Sequence, residues 1–137
     1  MEHAFVNANV ILRYLLRDDE TKAQRCLELL EKAERREIIL HTTDLVIAEL
    51  VWVLESPATY DLPRETIRDL LLPVIFLPGL KLPGKKLYRQ IFDLYVDQGV
   101  DFIDAYNAVH MGKQGLTRIY SYDSDFDRIG EVGRIEP

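Results

Sequence analysis

With 137 residues and 47% apolar composition, the chain is long enough for one domain with a packed core and too hydrophobic to remain disordered. A formal net charge of −6 argues against broad, sequence-independent binding to nucleic acid, which needs excess Lys and Arg, although an acidic metal site in a nuclease would supply much of that charge. Cys26 is the single cysteine, so neither an intrachain disulfide nor a cysteine cluster for zinc can form.

The lone cysteine suits a reducing cytoplasm, the expected location, and Met1-Glu2-His3 lacks the basic start and long apolar run of a secretion signal. Ala4-Phe5-Val6 reads as a short buried strand. Asn7 and Asn9 bracket Ala8, and Val10, Ile11, Tyr14 and Leu15 then recur at helical spacing. This strand, polar tip and helix would place Asn7 at the carboxyl end of a strand, where open α/β folds bind ligands. The plain structural role for Asn9 is to cap the helix. Glu20 to Arg36 is a charged helix, capped by Asp18 or Asp19. Ile38 to His41 is a brief strand, and Thr42 or Thr43 caps a helix from Asp44 to Glu55. Pro63 suits the start of the next helix. Pro73, Pro78, Gly79, Pro83 and Gly84 predict an irregular middle, with a short strand at Leu80-Lys81-Leu82. Leu70 to Leu80 is too short and too proline-rich to span a membrane. Helices follow over Lys85 to Gln98 and Asp101 to Gln114, ended by Gly99 and Gly115. Arg118 to Ser121 is a strand, Asp123 to Asp127 an acidic turn, and Arg134-Ile135-Glu136 a last short strand. Short strands alternating with helices predict an α/β fold around a parallel sheet.

Four positions carry the functional signal. Glu49 has Leu45, Val46, Trp52 and Val53 as helical neighbours, so a partly desolvated carboxylate is expected, unless an arginine pairs it or that face is wetter than it looks. Asp101 and Asp104 lie three apart at a helix start, which a capping arrangement also explains. Asn107 extends their polar face. Asp123, Asp125 and Asp127 crowd one turn after a strand; they are either solvated or facing a cation, with Asp123 the favoured ligand and Asp125 a turn cap. Asn7, Glu49, Asp104 and Asp123 each fall at a strand end or on the helix after one, and a parallel sheet would gather such positions on one edge. Carboxylates that close stay ionised only around a cation. Oxygen donors select Mg²⁺ or Mn²⁺, which can activate water at a phosphodiester. His3, His41 and His110 are scattered, and no glycine-rich phosphate loop is present.

Val6-Asn7-Ala8-Asn9-Val10-Ile11-Leu12-Arg13-Tyr14-Leu15-Leu16 resembles the opening of PIN domains, where aspartate, a small residue and asparagine follow the first strand. Ala48-Glu49-Leu50-Val51-Trp52, Val100-Asp101-Phe102-Ile103-Asp104-Ala105 and Ser121-Tyr122-Asp123-Ser124-Asp125-Phe126-Asp127 resemble the other three acidic motifs, in the family's order. Length and the helix-rich middle are most similar to VapC-type toxins of toxin–antitoxin pairs. The resemblance implies a single PIN-like domain over residues 1–137, a Rossmann-like α/β/α sandwich with a short central parallel sheet. It also implies a metal-dependent ribonuclease, a homodimer and a cognate antitoxin over the active-site groove. By position the ligands of Mg²⁺ or Mn²⁺ would be Asn7, Glu49, Asp104 and Asp123, with Asn9 orienting the first ligand and Asp101 and Asp125 in reserve.

Asn7 departs from the family pattern, since asparagine keeps a carbonyl oxygen but loses the charge. Weakened activity is therefore expected. The competing reading is a non-catalytic PIN-like module that binds RNA or a partner protein. A receiver-like domain fits less well, because adjacent acids after the first strand are missing. Arg13 and Arg17 could touch phosphate or simply be solvated. The apolar run Leu70, Leu71, Leu72, Val74, Ile75, Phe76, Leu77 and Leu80, with Trp52 and Leu54, suggests either a dimer surface or a cover for the sheet.

Overall fold

A computed structural model describes every residue from Met1 to Pro137. The chain divides into two compact units, Met1–Lys85 and Lys86–Pro137. All strand pairings are parallel, and helices separate most of the strands, so the architecture is α/β as the sequence predicts. No helix is long and apolar enough to cross a membrane.

The first unit holds β1 (Glu2–Phe5), α1 (Ala8–Leu16), α2 (Glu20–Glu34), β2 (Ile38–His41), α3 (Asp44–Glu55), α4 (Arg64–Ile75) and β3 (Leu80–Lys81). Its sheet has the order β1-β2-β3. Ile38 and Leu40 of β2 are buried, together with Ile11, Ala23, Leu30, Ile47, Leu50 and Leu71 from the helices. The Asp19 carboxylate caps α2 by accepting from the Lys22 amide at 3.1 Å. At the carboxyl end of the sheet, Val6 N–H donates to His41 O (2.9 Å), and buried Thr42 donates its hydroxyl to Val6 O (3.2 Å). These bonds fix the strand tip from which Asn7 emerges. Gly79 is required by close approach. Its N–H donates to Ala33 O (2.8 Å), and a β-carbon there would press into that oxygen and lie 2.7 Å from Ile38 O.

A 3₁₀ turn over Lys85–Leu87 leads into α5 (Tyr88–Asp97). The second unit continues with α6 (Phe102–Lys113), β4 (Arg118–Tyr120), a 3₁₀ turn over Ser124–Arg128 and β5 (Gly133–Ile135). α5 packs on α6 through an aromatic cluster: the Phe92 and Phe102 rings are 5.4 Å apart, and Tyr95 meets Phe102 edge-on at 6.2 Å. β4 pairs with β5, and buried Phe126 and Ile129 anchor the turn between them.

Two expectations change, and a third alternative is narrowed. α1 begins at Ala8, so Asn7 and not Asn9 occupies the cap position, and the Asn7 side chain makes no capping hydrogen bond. α4 runs through Pro73, which sits in its last turn. The middle of the chain is thus more regular than its prolines suggest. The apolar run of residues 70–80 mostly fills the interior, with Leu71, Val74, Ile75 and Leu80 buried along with Leu54. The exposed large apolar side chains of α3 are instead Leu45 and Trp52.

Candidate functional site

Asp104, Asp123 and Asp125 each offer a carboxylate oxygen within 4.8 Å of the others. Asp104 stands in the first turn of α6, one turn after Asp101. Asp101 holds the cap position, but its side chain makes no capping hydrogen bond. The capping box that would explain this pair structurally is therefore not formed.

The turn after β4 supplies the other two acids. Ser121 Oγ accepts from Asp123 N–H at 3.0 Å, and Asp123 Oδ1 accepts from Asp125 N–H at 2.9 Å. Asp123, and not Asp125, thus caps the 3₁₀ turn. Asp127 leaves the cluster because Arg134 holds both its oxygens, at 3.0 and 3.2 Å. This pairing also relieves the repulsion expected of three acids in one turn.

Burial pushes the Asp104 carboxyl above its ordinary range, and the charges of Asp123 and Asp101 push it further. A hydrogen bond with the Asp123 carboxyl adds to the rise, as does the charge of Asp125. Charges gathered this closely repel one another, and a cation facing them offsets that repulsion. The donor set is wholly carboxylate oxygen, which fits a hard divalent ion such as Mg²⁺ or Mn²⁺.

Asn7 and Glu49 belong to the first unit, at the end of β1 and in α3. Both are exposed. Glu49 is not the desolvated carboxylate its neighbours suggest, because Leu45 and Trp52 on its own face are 81% and 74% exposed. Asn9 is exposed in the first turn of α1, and Asn107 is exposed one turn after Asp104. Arg13 lies 3.9 Å from Asp18 and Arg17 lies 3.7 Å from Glu20, so both arginines have acidic neighbours on the protein itself.

Arg128 has a role that the sequence reading missed. It pairs with Asp125 and donates to Gln98 O (3.2 Å) and Gly99 O (3.3 Å) at the end of α5. Its only sequence signal is a basic residue three positions after Asp125 in an acidic run.

No curated protein matches the chain. The PIN domain profile matches residues 4–132, nearly the full length and across all four acidic motifs. Parallel strands, helices between most of them, and aspartates gathered from α6 and from the turn after β4 agree with that match, and the chain belongs to the PIN domain family.

Proposed function

We propose that residues 1–137 act as one PIN domain, a metal-dependent endoribonuclease and the toxin of a VapC-type toxin–antitoxin pair. The observation that carries this reading is the gathering of Asp104, Asp123 and Asp125 within 4.8 Å in a chain of a nuclease-type family. Those three acids would hold Mg²⁺ or Mn²⁺, with Asn7 and Glu49 completing the site and Asp101 adding negative potential. Asn9 would orient the ligand at position 7. When bound, such a cation lowers the pKa of water and offsets charge building on a phosphodiester. Asp104 and Asp123 would face the cation with their carboxylate oxygens. Arg128 would keep the turn of Asp123 and Asp125 against the start of α6. A cytoplasmic homodimer neutralised by a cognate antitoxin completes the proposal. The exposed Leu45 and Trp52 support a protein contact on α3.

Asn7 favours a second reading, a PIN module that binds RNA or a partner without cutting, because a neutral amide weakens attraction for the cation. Assaying RNA cleavage with Mn²⁺ by the chain and by Asn7→Asp separates the two. The nuclease reading expects strong, EDTA-sensitive cleavage by Asn7→Asp and slow cleavage by the unaltered chain. A folded Asn7→Asp protein that binds RNA and leaves it intact with either metal would establish the module.

A further inference from the structure

Away from the carboxylate cluster, two imidazoles meet on the first unit's sheet. β1 and β2 run parallel, with His3 level with Ile39 and Phe5 level with His41. Residues two apart on a strand share a face, so His3, Phe5, Ile39 and His41 lie opposite the buried Ile38 and Leu40. Across this diagonal His3 Nδ1 comes within 2.9 Å of His41 Nε2. The ring centroids are 5.1 Å apart. His3 is exposed and His41 half-buried, so solvent reaches the pair.

At that distance the two nitrogens share one hydrogen: one ring donates and the other accepts with its lone pair. A metal ion can replace that hydrogen and take a lone pair from each ring. Neutral imidazole is the ligand that borderline ions favour, whereas Mg²⁺ and Mn²⁺ prefer carboxylates. Two imidazole nitrogens bound to one Zn²⁺ at about 2.0–2.1 Å stand about 3.4 Å apart at the tetrahedral angle, roughly half an ångström wider than the pair now sits. Small side-chain rotations at this solvent-facing pair cover the difference. Lys81 is level with His41 on β3, and its charge opposes a cation there. It sits on a long flexible stem, so it lowers the affinity without closing the site.

We propose that His3 and His41 form a two-imidazole site for a borderline divalent ion of the Zn²⁺ type, with water completing its coordination. This site differs in donor chemistry from the aspartate cluster and does not rest on the nuclease reading. The test is calorimetric titration of the full, untagged chain with Zn²⁺, alongside NMR of the imidazole resonances. The expected result is micromolar binding that weakens about tenfold or more in His3→Gln and equally in His41→Gln, each checked for folding by circular dichroism. Zn²⁺ should shift the His3 and His41 resonances together, and should still do so in His110→Gln and in Asp104→Asn, whose own loss is confined to the aspartate cluster. Absence of Zn²⁺ binding, loss on only one of the two substitutions, or loss in Asp104→Asn with both histidine variants unaffected would each overturn the proposal.

Discussion

Arg128 pairs with Asp125 one 3₁₀ turn away, and the same guanidinium holds the carbonyls of Gln98 and Gly99 before α6. One side chain therefore ties together the two segments that supply the aspartates. It is also the cation that balances one of those aspartates without a metal. Its position at the end of α5 suits a positive charge, because carbonyls there carry the negative end of the helix dipole.

Arg128→Gln should lower stability by about 1–2 kcal/mol, through loss of a partly exposed ion pair and weakened bonds to two carbonyls. It should also make stability more dependent on divalent cations, since three aspartates then lack their one basic partner. Thermal melts with and without Mn²⁺ read both effects. An equal Mn²⁺ effect in the two proteins would show that Arg128 does not balance the cluster.

Asp104 predicts a pH dependence. Its folded pKa is raised, so folding favours the protonated form. The stability this contributes is fully present below the ordinary carboxylate value of about 3.9 and is lost as pH rises through the raised folded value. Without divalent cation, Asp104→Asn should therefore be more stable than the unaltered chain at neutral pH. The gap should close as pH falls through the carboxylate range. Urea unfolding of both proteins at several pH values tests this. A gap that stays constant with pH would mean that Asp104 ionises as easily folded as unfolded.

Gly79→Ala should cost roughly 1–3 kcal/mol, because the added carbon meets two backbone oxygens that cannot move without disturbing α2 and β2. A lowered urea midpoint with an unchanged slope would show a loss of stability alone. An unchanged midpoint would mean that the α2–β2 junction yields.

The elements were legible wherever periodicity and caps agreed: β2 and α3 fall at their expected bounds, and Asp19 caps α2. The start of α1 was misread because Asn7 and Asn9 are equally good caps by type, and only backbone geometry separates them. For Glu49 desolvation and exposure both stayed open, because helical spacing groups neighbours on a face without saying whether anything covers that face. Of the four positions expected to converge, Asp104 and Asp123 meet, joined by Asp125, which the sequence placed only in reserve. The roles of Asp125 and Asp127 were not legible, since they depend on which arginine reaches which carboxylate across intervening chain.

Trp52 is the only tryptophan, so its fluorescence reports directly on the exposed face of α3. If a second copy covers that face, emission should shift to shorter wavelength as protein concentration rises. Light scattering should approach twice the 15.9 kDa chain mass over the same range. Trp52→Ala with Leu45→Ala should leave a folded monomer. A dimer that survives both substitutions would place its interface elsewhere.

Asn7→Asp should bind Mn²⁺ more tightly than the unaltered chain if residue 7 is a ligand. Asn7 is exposed at the end of β1, and its side chain is not spent on capping α1. An aspartate there adds a charge that attracts a hard cation. The same charge would also favour the N-terminus of α1 by about 0.3–1 kcal/mol with no metal at all. A rise in melting temperature in EDTA therefore measures the helix effect, and only the further rise on adding Mn²⁺ measures ligation. Mn²⁺ binding followed by electron paramagnetic resonance should strengthen in Asn7→Asp and weaken again in Asn7→Asp combined with Asp104→Asn or Glu49→Gln. Position 7 and the Asp104 cluster would then act on one ion. If Asn7→Asp raises the melting temperature in EDTA but leaves Mn²⁺ affinity unchanged, residue 7 is a helix cap and not a metal ligand.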